Sequence, residues 1–290
     1  MGLAEPRLIS RGCRKHKRQR SQMGARSAAD NALYTCRTFF LRIAMTNTSR
    51  RSSLSRVLRL LGMAVVAWLG ATWLLVLILR FVPPWTSAVM IERQLSAWIH
   101  REPNFHLRQR WVPWNQISPW VPLAMVAGED QKFPFHHGFD FDSIHSAIDQ
   151  ADDGGRLRGA STISQQTAKN LFLWNGRSFI RKGLEAYFTV LIELTWPKQR
   201  ILEVYANIVE LGNGIYGVGA ASDAYFQMAP SRLGPSQAAR LAAVLPSPRQ
   251  LHADQPSAYV MRRASWIEQQ MNQLGGPGYI QGHPTARMKR

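Results

Sequence analysis

Leu60 to Leu79 (LLGMAVVAWLGATWLLVLIL) runs for twenty residues without a charge, and Thr72 is its only clearly polar side chain. A helix of about 20 residues rises about 30 Å, the thickness of the hydrocarbon core of a bilayer. A soluble core helix of that length normally keeps a polar stripe for its solvent side, and this run has none. The segment predicts a membrane-spanning helix, so the residues before and after it belong to different compartments. A cleaved signal peptide fits less well, because the run is long and no small-x-small cleavage site follows Arg80-Phe81-Val82-Pro83-Pro84.

Charge orients the span. The 290-residue chain carries a formal +18, of which residues 1–59 supply +12, with 14 Lys/Arg against Glu5 and Asp30. Arg50, Arg51, Arg56 and Arg59 precede the run, whereas only Arg80 and Arg93 follow closely. The positive-inside rule places the N-terminus in the cytoplasm and everything after residue 80 outside. The basic arm Arg14-Lys15-His16-Lys17-Arg18-Gln19-Arg20 could neutralise nucleic-acid phosphates. Topology and anionic lipid account for it more simply, and no nucleic-acid partner is expected. Both cysteines, Cys13 and Cys36, fall in this arm, where the compartment would be reducing. The exported part must therefore be stabilised by its core, and no zinc-type Cys/His spacing occurs. Residues 1–44 lack an apolar period and read as low in order. The compact tail MTNTSRRSSLSRVLRLLG opens at Met45, which reads as a natural start with 1–44 as an upstream extension.

The chain divides on this reading into a cytoplasmic tail (1–59), the span (60–80), a juxtamembrane connector (81–114), a folded domain (115–275) and a flexible tail (276–290). The connector holds an amphipathic stretch, Ala88 to His100, and the start of a Trp/Pro-rich segment that runs from Trp111 and Trp114 on to Trp120 in the folded domain. Helical periodicity then predicts helices at 123–128, 141–151, 161–173, 179–195, 198–211, 217–226 and 235–245, separated by Gly, Pro or Asn signals. Period-2 alternation is scarce, so the class is mainly α.

Three segments bear chemistry. Glu129-Asp130-Gln131-Lys132-Phe133-Pro134-Phe135-His136-His137-Gly138-Phe139-Asp140 sets two adjacent carboxylates at the end of an apolar run and surrounds them with aromatics and histidines. Desolvation there raises a carboxyl toward the range of a general base; the plainer alternative is a surface turn whose acids cap a helix. In Gly159-Ala160-Ser161-Thr162-Ile163-Ser164-Gln165-Gln166-Thr167-Ala168-Lys169-Asn170, helical spacing gathers Ser161, Thr162, Gln165, Gln166 and Lys169 into one arc of about 140°. Spare N–H groups at that helix start, with a lysine two turns on, suit an anion; the alternative is a solvated face with Ser161 as N-cap. Phe179 to Leu194 is apolar nearly all round and reads as buried, with Lys182, Glu185, Thr189 and Glu193 in one narrow stripe. Glu185 could line a cleft as a second carboxylate or simply pair with Arg181 one turn away.

Glu129-Asp130-x-x-Phe133-x-x-His136-x-Gly138, Gly159-x-Ser161-Thr162-x-x-Gln165-Gln166-x-x-Lys169-Asn170 and Arg181-Lys182-x-x-Glu185 resemble successive signatures of the family 51 glycosyltransferases. Arg200-Ile201-Leu202-Glu203-x-Tyr205-x-Asn207 and Gly217-x-x-x-Ala221-x-x-x-Tyr225-Phe226 fit as well, so the resemblance covers roughly residues 115–250. It is strongest to the family's monofunctional biosynthetic members from Gram-negative bacteria. One departure is Ala160, where a second glycine is usual; another is the lack of Ser-x-x-Lys and Lys-Thr-Gly, hence of a transpeptidase domain.

The resemblance implies a lysozyme-like α-helical domain with a small membrane-associated jaw, anchored in the inner membrane and facing the periplasm. It implies lipid II and the growing glycan strand as substrates and moenomycin as an inhibitor. Inner-membrane lipid is the implied surroundings, and penicillin-binding, division or elongation proteins are candidate partners. Glu129 would be the general base and Glu185 the second essential carboxylate. Lys169 and Arg177, with Arg181 and Lys182 nearby, would meet the pyrophosphate. Ser161, Gln165, Gln166 and Asn170 would line the donor cleft, while Asp130, Phe133, His136 and Gly138 hold the catalytic loop. Carboxylates near a pyrophosphate leave room for Mg²⁺ or Mn²⁺, with no ligand set visible. The alternatives are a lytic transglycosylase or muramidase, which has no need of the basic set, and a membrane-tethered envelope scaffold, which would leave Glu129 and Glu185 dispensable.

Overall fold

The computed structural model describes residues 55–103, 105–142, 161–176 and 178–280. Expectations for the basic arm, Met45 and the two cysteines fall outside these residues. So do those for most of the helix at 141–151, for Gly159, Ala160 and Arg177, and for the tail beyond 280.

The chain forms two units, residues 1–71 and 72–290. Helix α1, Ser55–Phe81, has a mean hydropathy of 2.2 over its most apolar window and is long and apolar enough to cross a membrane. Within the first unit its side chains from Ser55 to Gly70 are exposed. The second unit contains its C-terminal turns, and there Val76 is wholly buried. Trp196 Nε1 donates to the Val76 carbonyl at 2.8 Å, and Arg80 Nη1 donates to the Thr195 carbonyl at 2.6 Å. The Arg200 guanidinium donates to the carbonyls of Leu79 (2.8 and 3.2 Å) and Val82 (2.9 Å). Those are carbonyls that a helix end leaves without intrahelical partners, and a cation suits the negative end of the helix dipole.

α2 (Ala88–Ile99) starts at the N-cap Ser87, whose side chain accepts from Met90 N–H. The short strand β1 (Arg108–Gln109) precedes α3 (Trp120–Glu129), in which every residue from Val121 to Ala127 is buried. Pro122 is tolerated because it lies in the first turn, where its missing N–H has no intrahelical partner. Around α3 pack α4 (Ile163–Phe172), α5 (Phe179–Thr195), α6 (Lys198–Ile208), α7 (Gly217–Phe226), α8 (Pro235–Val244) and α9 (Ala258–Gln273) in one core. Strands β2 (Glu210–Gly212) and β3 (Ile215–Tyr216) join β1 in the order β1-β3-β2; β1 runs parallel to β3 and β2 antiparallel to it. Asn207, fully buried, exchanges two hydrogen bonds with the backbone of Val112 (2.7 and 2.9 Å) and so clamps the connector onto α6.

The structure is mainly helical, as expected, with several local corrections. The helix expected over 198–211 ends at Ile208, because Val209 turns extended (φ −70°, ψ 140°) and feeds β2. The helix expected from 161 begins at Ile163; its N-cap is Thr162 rather than Ser161, in a capping box with Gln165. α2 is legible in the sequence only as an amphipathic stretch, and α9 lies beyond the last helix expected, 235–245.

The larger correction concerns α5, which is not buried all round. Phe179 is 98% exposed and Ile180 and Leu194 are each 77% exposed. With Val190 they occupy an arc of about 100°, while Glu185, Phe188, Thr189 and Ile192 turn inward. Total apolarity could not separate a buried helix from one with an apolar face left uncovered.

Candidate active site

Glu129 is the last residue of α3, and Asp130 leaves the helix with φ −159° and ψ 75°. These adjacent carboxylates go to different places. The Asp130 carboxylate accepts from His136 Nε2 at 2.9 and 3.0 Å and from the backbone N–H of Ile163 at 2.9 Å. Ile163 is the first residue of α4, so the anion seated at that helix start is the chain's own Asp130. This corrects the expectation that the α4 N-terminus is free for a substrate anion.

His136 carries its ring hydrogen toward Asp130 and accepts on Nδ1 from Gly138 N–H at 3.1 Å. Phe133, 1% exposed, meets the His136 ring edge-on at 6.0 Å. Lys198 Nζ lies 4.4 Å from the Phe133 ring centroid and donates to the His136 carbonyl and to Glu193. Thr162 Oγ1 donates to the Gly138 carbonyl at 2.7 Å. Gly138 has φ +90°, and a Cβ there would sit 2.8 Å from Thr189 Cγ2, so only glycine closes this loop against α5. Asp130, Phe133, His136 and Gly138 thus form one tied loop beneath Glu129.

Glu129 faces the other way. Its Oε2 accepts from Gln166 Nε2 at 3.0 Å, and Gln166 Oε1 accepts from the Tyr205 hydroxyl at 2.9 Å. Its Oε1 lies 3.4 Å from Arg263 Nη2. Burial raises the Glu129 carboxyl above the ordinary glutamate range and nearby Asp130 adds to this, while Gln166 and Arg263 act in the opposite direction. Tyr205→Phe removes the donor that fixes the Gln166 amide. Its carbonyl can then turn toward Glu129. The expected result is a loss of about tenfold in turnover with about 1–2 kcal/mol of stability, read by activity assay and thermal unfolding.

Gln166, Lys169 and Asn170 line a cleft of about 480 Å³ together with Asn175, Glu210, Ser247, Arg249 and Gln250. Burial pushes the Lys169 ammonium below the ordinary lysine range; Glu185 and Glu92 oppose this, whereas Arg181 and Lys182 add to it. Glu185, 3% exposed, receives Arg181 Nη1 at 2.7 Å on one oxygen and Lys182 Nζ on the other. Both its oxygens are engaged by cations, which does not suit a metal ligand. Among the described residues no cluster of three or more His, Cys, Asp or Glu side chains could hold a metal ion.

Of the residues singled out in the sequence, Gln166, Lys169 and Asn170 come together in the cleft, with Glu129 joined to them through Gln166. Ser161 is exposed at the mouth of α4. Gln165 turns inward, its carbonyl accepting from Thr162 N–H at 2.9 Å, so the capping box uses it rather than the cleft. Tyr205 stood inside a quoted motif without a role. Arg249 and Arg263 lie outside all the motifs, and no spacing signal marks them.

The mainly helical domain is lysozyme-like, and its family match makes it a glycosyl-transfer domain. The chain belongs to the transglycosylase family, whose model, described as "Transglycosylase", matches residues 96–272. It is 54% identical over 231 residues to the biosynthetic peptidoglycan transglycosylase of Chromohalobacter salexigens, covering 80% of this chain and 98% of that one. It is also 54% identical to the proteins of the same description from Xanthomonas campestris pv. campestris (226 residues) and Xylella fastidiosa (225 residues), each match covering 78% of this chain and 92% of the relative.

Proposed function

We propose that this protein polymerises lipid II into β-1,4-linked peptidoglycan strands, releasing undecaprenyl pyrophosphate. The observation that carries this reading is a desolvated carboxylate, Glu129, bonded to Gln166 at the edge of a cleft that Lys169 also lines. Glu129 takes the proton of the acceptor lipid II 4-hydroxyl. The freed oxygen forms a bond to the anomeric carbon of the growing strand on the opposite side from its pyrophosphate, with inversion. The bond from that carbon to the pyrophosphate oxygen breaks, and its electron pair leaves on the phosphate. A developing phosphate charge calls for cations and N–H donors rather than a strong acid. Lys169 and Arg177 supply the cations. Arg181 and Lys182 stand nearby, with Glu185 holding both in place. Gln166 and Asn170 line the donor side, with Ser161 at its mouth.

α1 crosses the inner membrane, with the N-terminus cytoplasmic and the catalytic domain periplasmic. The domain limits follow the sequence reading, 60–80 for the span and 115–275 for the catalytic domain. The uncovered apolar face of α5, with Phe179, Ile180, Val190 and Leu194, supports a jaw that rests in the bilayer where lipid II resides.

The test is incubation of the detergent-solubilised protein with labelled lipid II. Long glycan is expected, inhibited by moenomycin and untouched by penicillin. Release of 1,6-anhydro sugars from sacculi, with no polymer, would mean a lytic enzyme instead. Lys169→Met is expected to reduce turnover by about 10²-fold by removing a cation from the leaving pyrophosphate, measured as the initial rate at saturating lipid II.

A further inference from the structure

Glu129 has a second neighbour that lies outside every sequence motif. Arg263, on α9, sits 134 residues further along the chain, and its side chain is 24% exposed. Its Nη2 is 3.4 Å from Glu129 Oε1 and 3.4 Å from the Gly128 carbonyl. Gln166 bonds the other oxygen, Oε2. The two oxygens are therefore held by different helices, one donor each, which fixes the plane of the carboxylate.

The close approach of α9 is built into the sequence of α3. A Cβ on Gly128 would stand 3.3 Å from Ile267 Cδ1 of α9, a contact that Ile267 could meet only by giving way a few tenths of an ångström. Gly128 thus lies against Ile267 of α9, one turn from Arg263, and the residue after Gly128 is Glu129. Arg263 Nε is buried without a hydrogen-bond partner. Among the described residues, the hydrogen bonds of the guanidinium both go to the end of α3.

We propose that Arg263 is a positioning residue for the transfer, holding the Glu129 carboxylate through the oxygen that Gln166 leaves free. It rests on the reading of Glu129 as the general base. The groups facing Glu129 are Asp130 on its own segment, Gln166 from α4, the Tyr205 hydroxyl behind Gln166 from α6, and Arg263 from α9. Burial and Asp130 favour the protonated acid, and Arg263 is the cation among them that favours the ionised base.

The experiment measures kcat/KM for lipid II polymerisation against pH in the full-length protein, for wild type, Arg263→Gln, Arg263→Lys and Glu129→Gln. Removing the cation raises the Glu129 pKa further, so Arg263→Gln should move the acidic limb upward by about half to one pH unit. Loss of orientation should lower the plateau by about tenfold. Arg263→Lys, which restores the charge, should return the limb toward wild type. Thermal unfolding of each variant runs alongside. If Arg263→Gln keeps the wild-type limb and loses activity equally at every pH, Arg263 is structural and the inference falls, while an inactive Glu129→Gln leaves the base assignment standing. If Glu129→Gln polymerises at the wild-type rate, the base assignment fails first and the role of Arg263 falls with it.

Discussion

Glu129→Gln is expected to lower lipid II polymerisation by about 10²–10⁴-fold, the range that a positioned general base supplies. The fold should not suffer. The Glu129 carboxyl is raised above its unfolded value, chiefly by burial, so the folded chain holds that proton more tightly than the unfolded chain. Its contribution to stability is then lost as pH rises through the folded-state pKa, and the ionised form weighs against folding at neutral pH. The isosteric amide removes that charge and keeps one acceptor oxygen, enough for one of its two donors, Gln166 or Arg263. At neutral pH the variant should unfold at the same temperature as wild type or higher, and the difference should vanish as pH falls below the ordinary glutamate range. A melting temperature that drops together with activity would show Glu129 to be structural.

The neighbouring substitution should behave in the opposite sense. Asp130→Ala strips the buried acceptor from His136 Nε2–H and from the Ile163 N–H at the start of α4. Each abandoned buried donor costs about 1–3 kcal/mol. For a domain of this size the combined loss should lower the melting temperature by about 5–15 °C. Activity should fall as well, because the loop from Glu129 to Gly138 and the start of α4, which carries Gln166, hang on this carboxylate. Asp130→Asn retains one acceptor oxygen and should land between. If Asp130→Ala melted at the wild-type temperature yet lost all turnover, Asp130 would have to act on the substrate directly. Two carboxylates side by side are then told apart by the sign of their effect on stability.

Much of this is legible in the sequence. The α3 sequence from Val121 to Ala127 is apolar without a break and can only be a core element, so the acids at its end had to emerge from a core. The motif spacing Gln165-Gln166-x-x-Lys169-Asn170 marked the polar start of α4. It could not tell that Gln165 closes a capping box while Gln166 reaches Glu129, since the two differ by one position and both fall within the polar arc. The reading of α5 failed for a related reason. Apolar content reports a wish to leave water and does not say whether protein or some other apolar phase receives it.

Local sequence determined the elements whose cause is local: the twenty-residue apolar run, the helices marked by period and punctuation, and the desolvated setting of Glu129. The resemblance already separated the two adjacent carboxylates, and the tertiary structure supplied their partners, Asp130 at the start of α4 and Glu129 on Gln166 beside the cleft. The tertiary structure alone brought Arg263 to Glu129 and Tyr205 to Gln166, 134 and 76 residues along the chain from Glu129. The physical reason is range. Propensity and periodicity act over a few residues, whereas the partners of a buried charge are chosen by packing, as where Gly138 lets the loop close against α5.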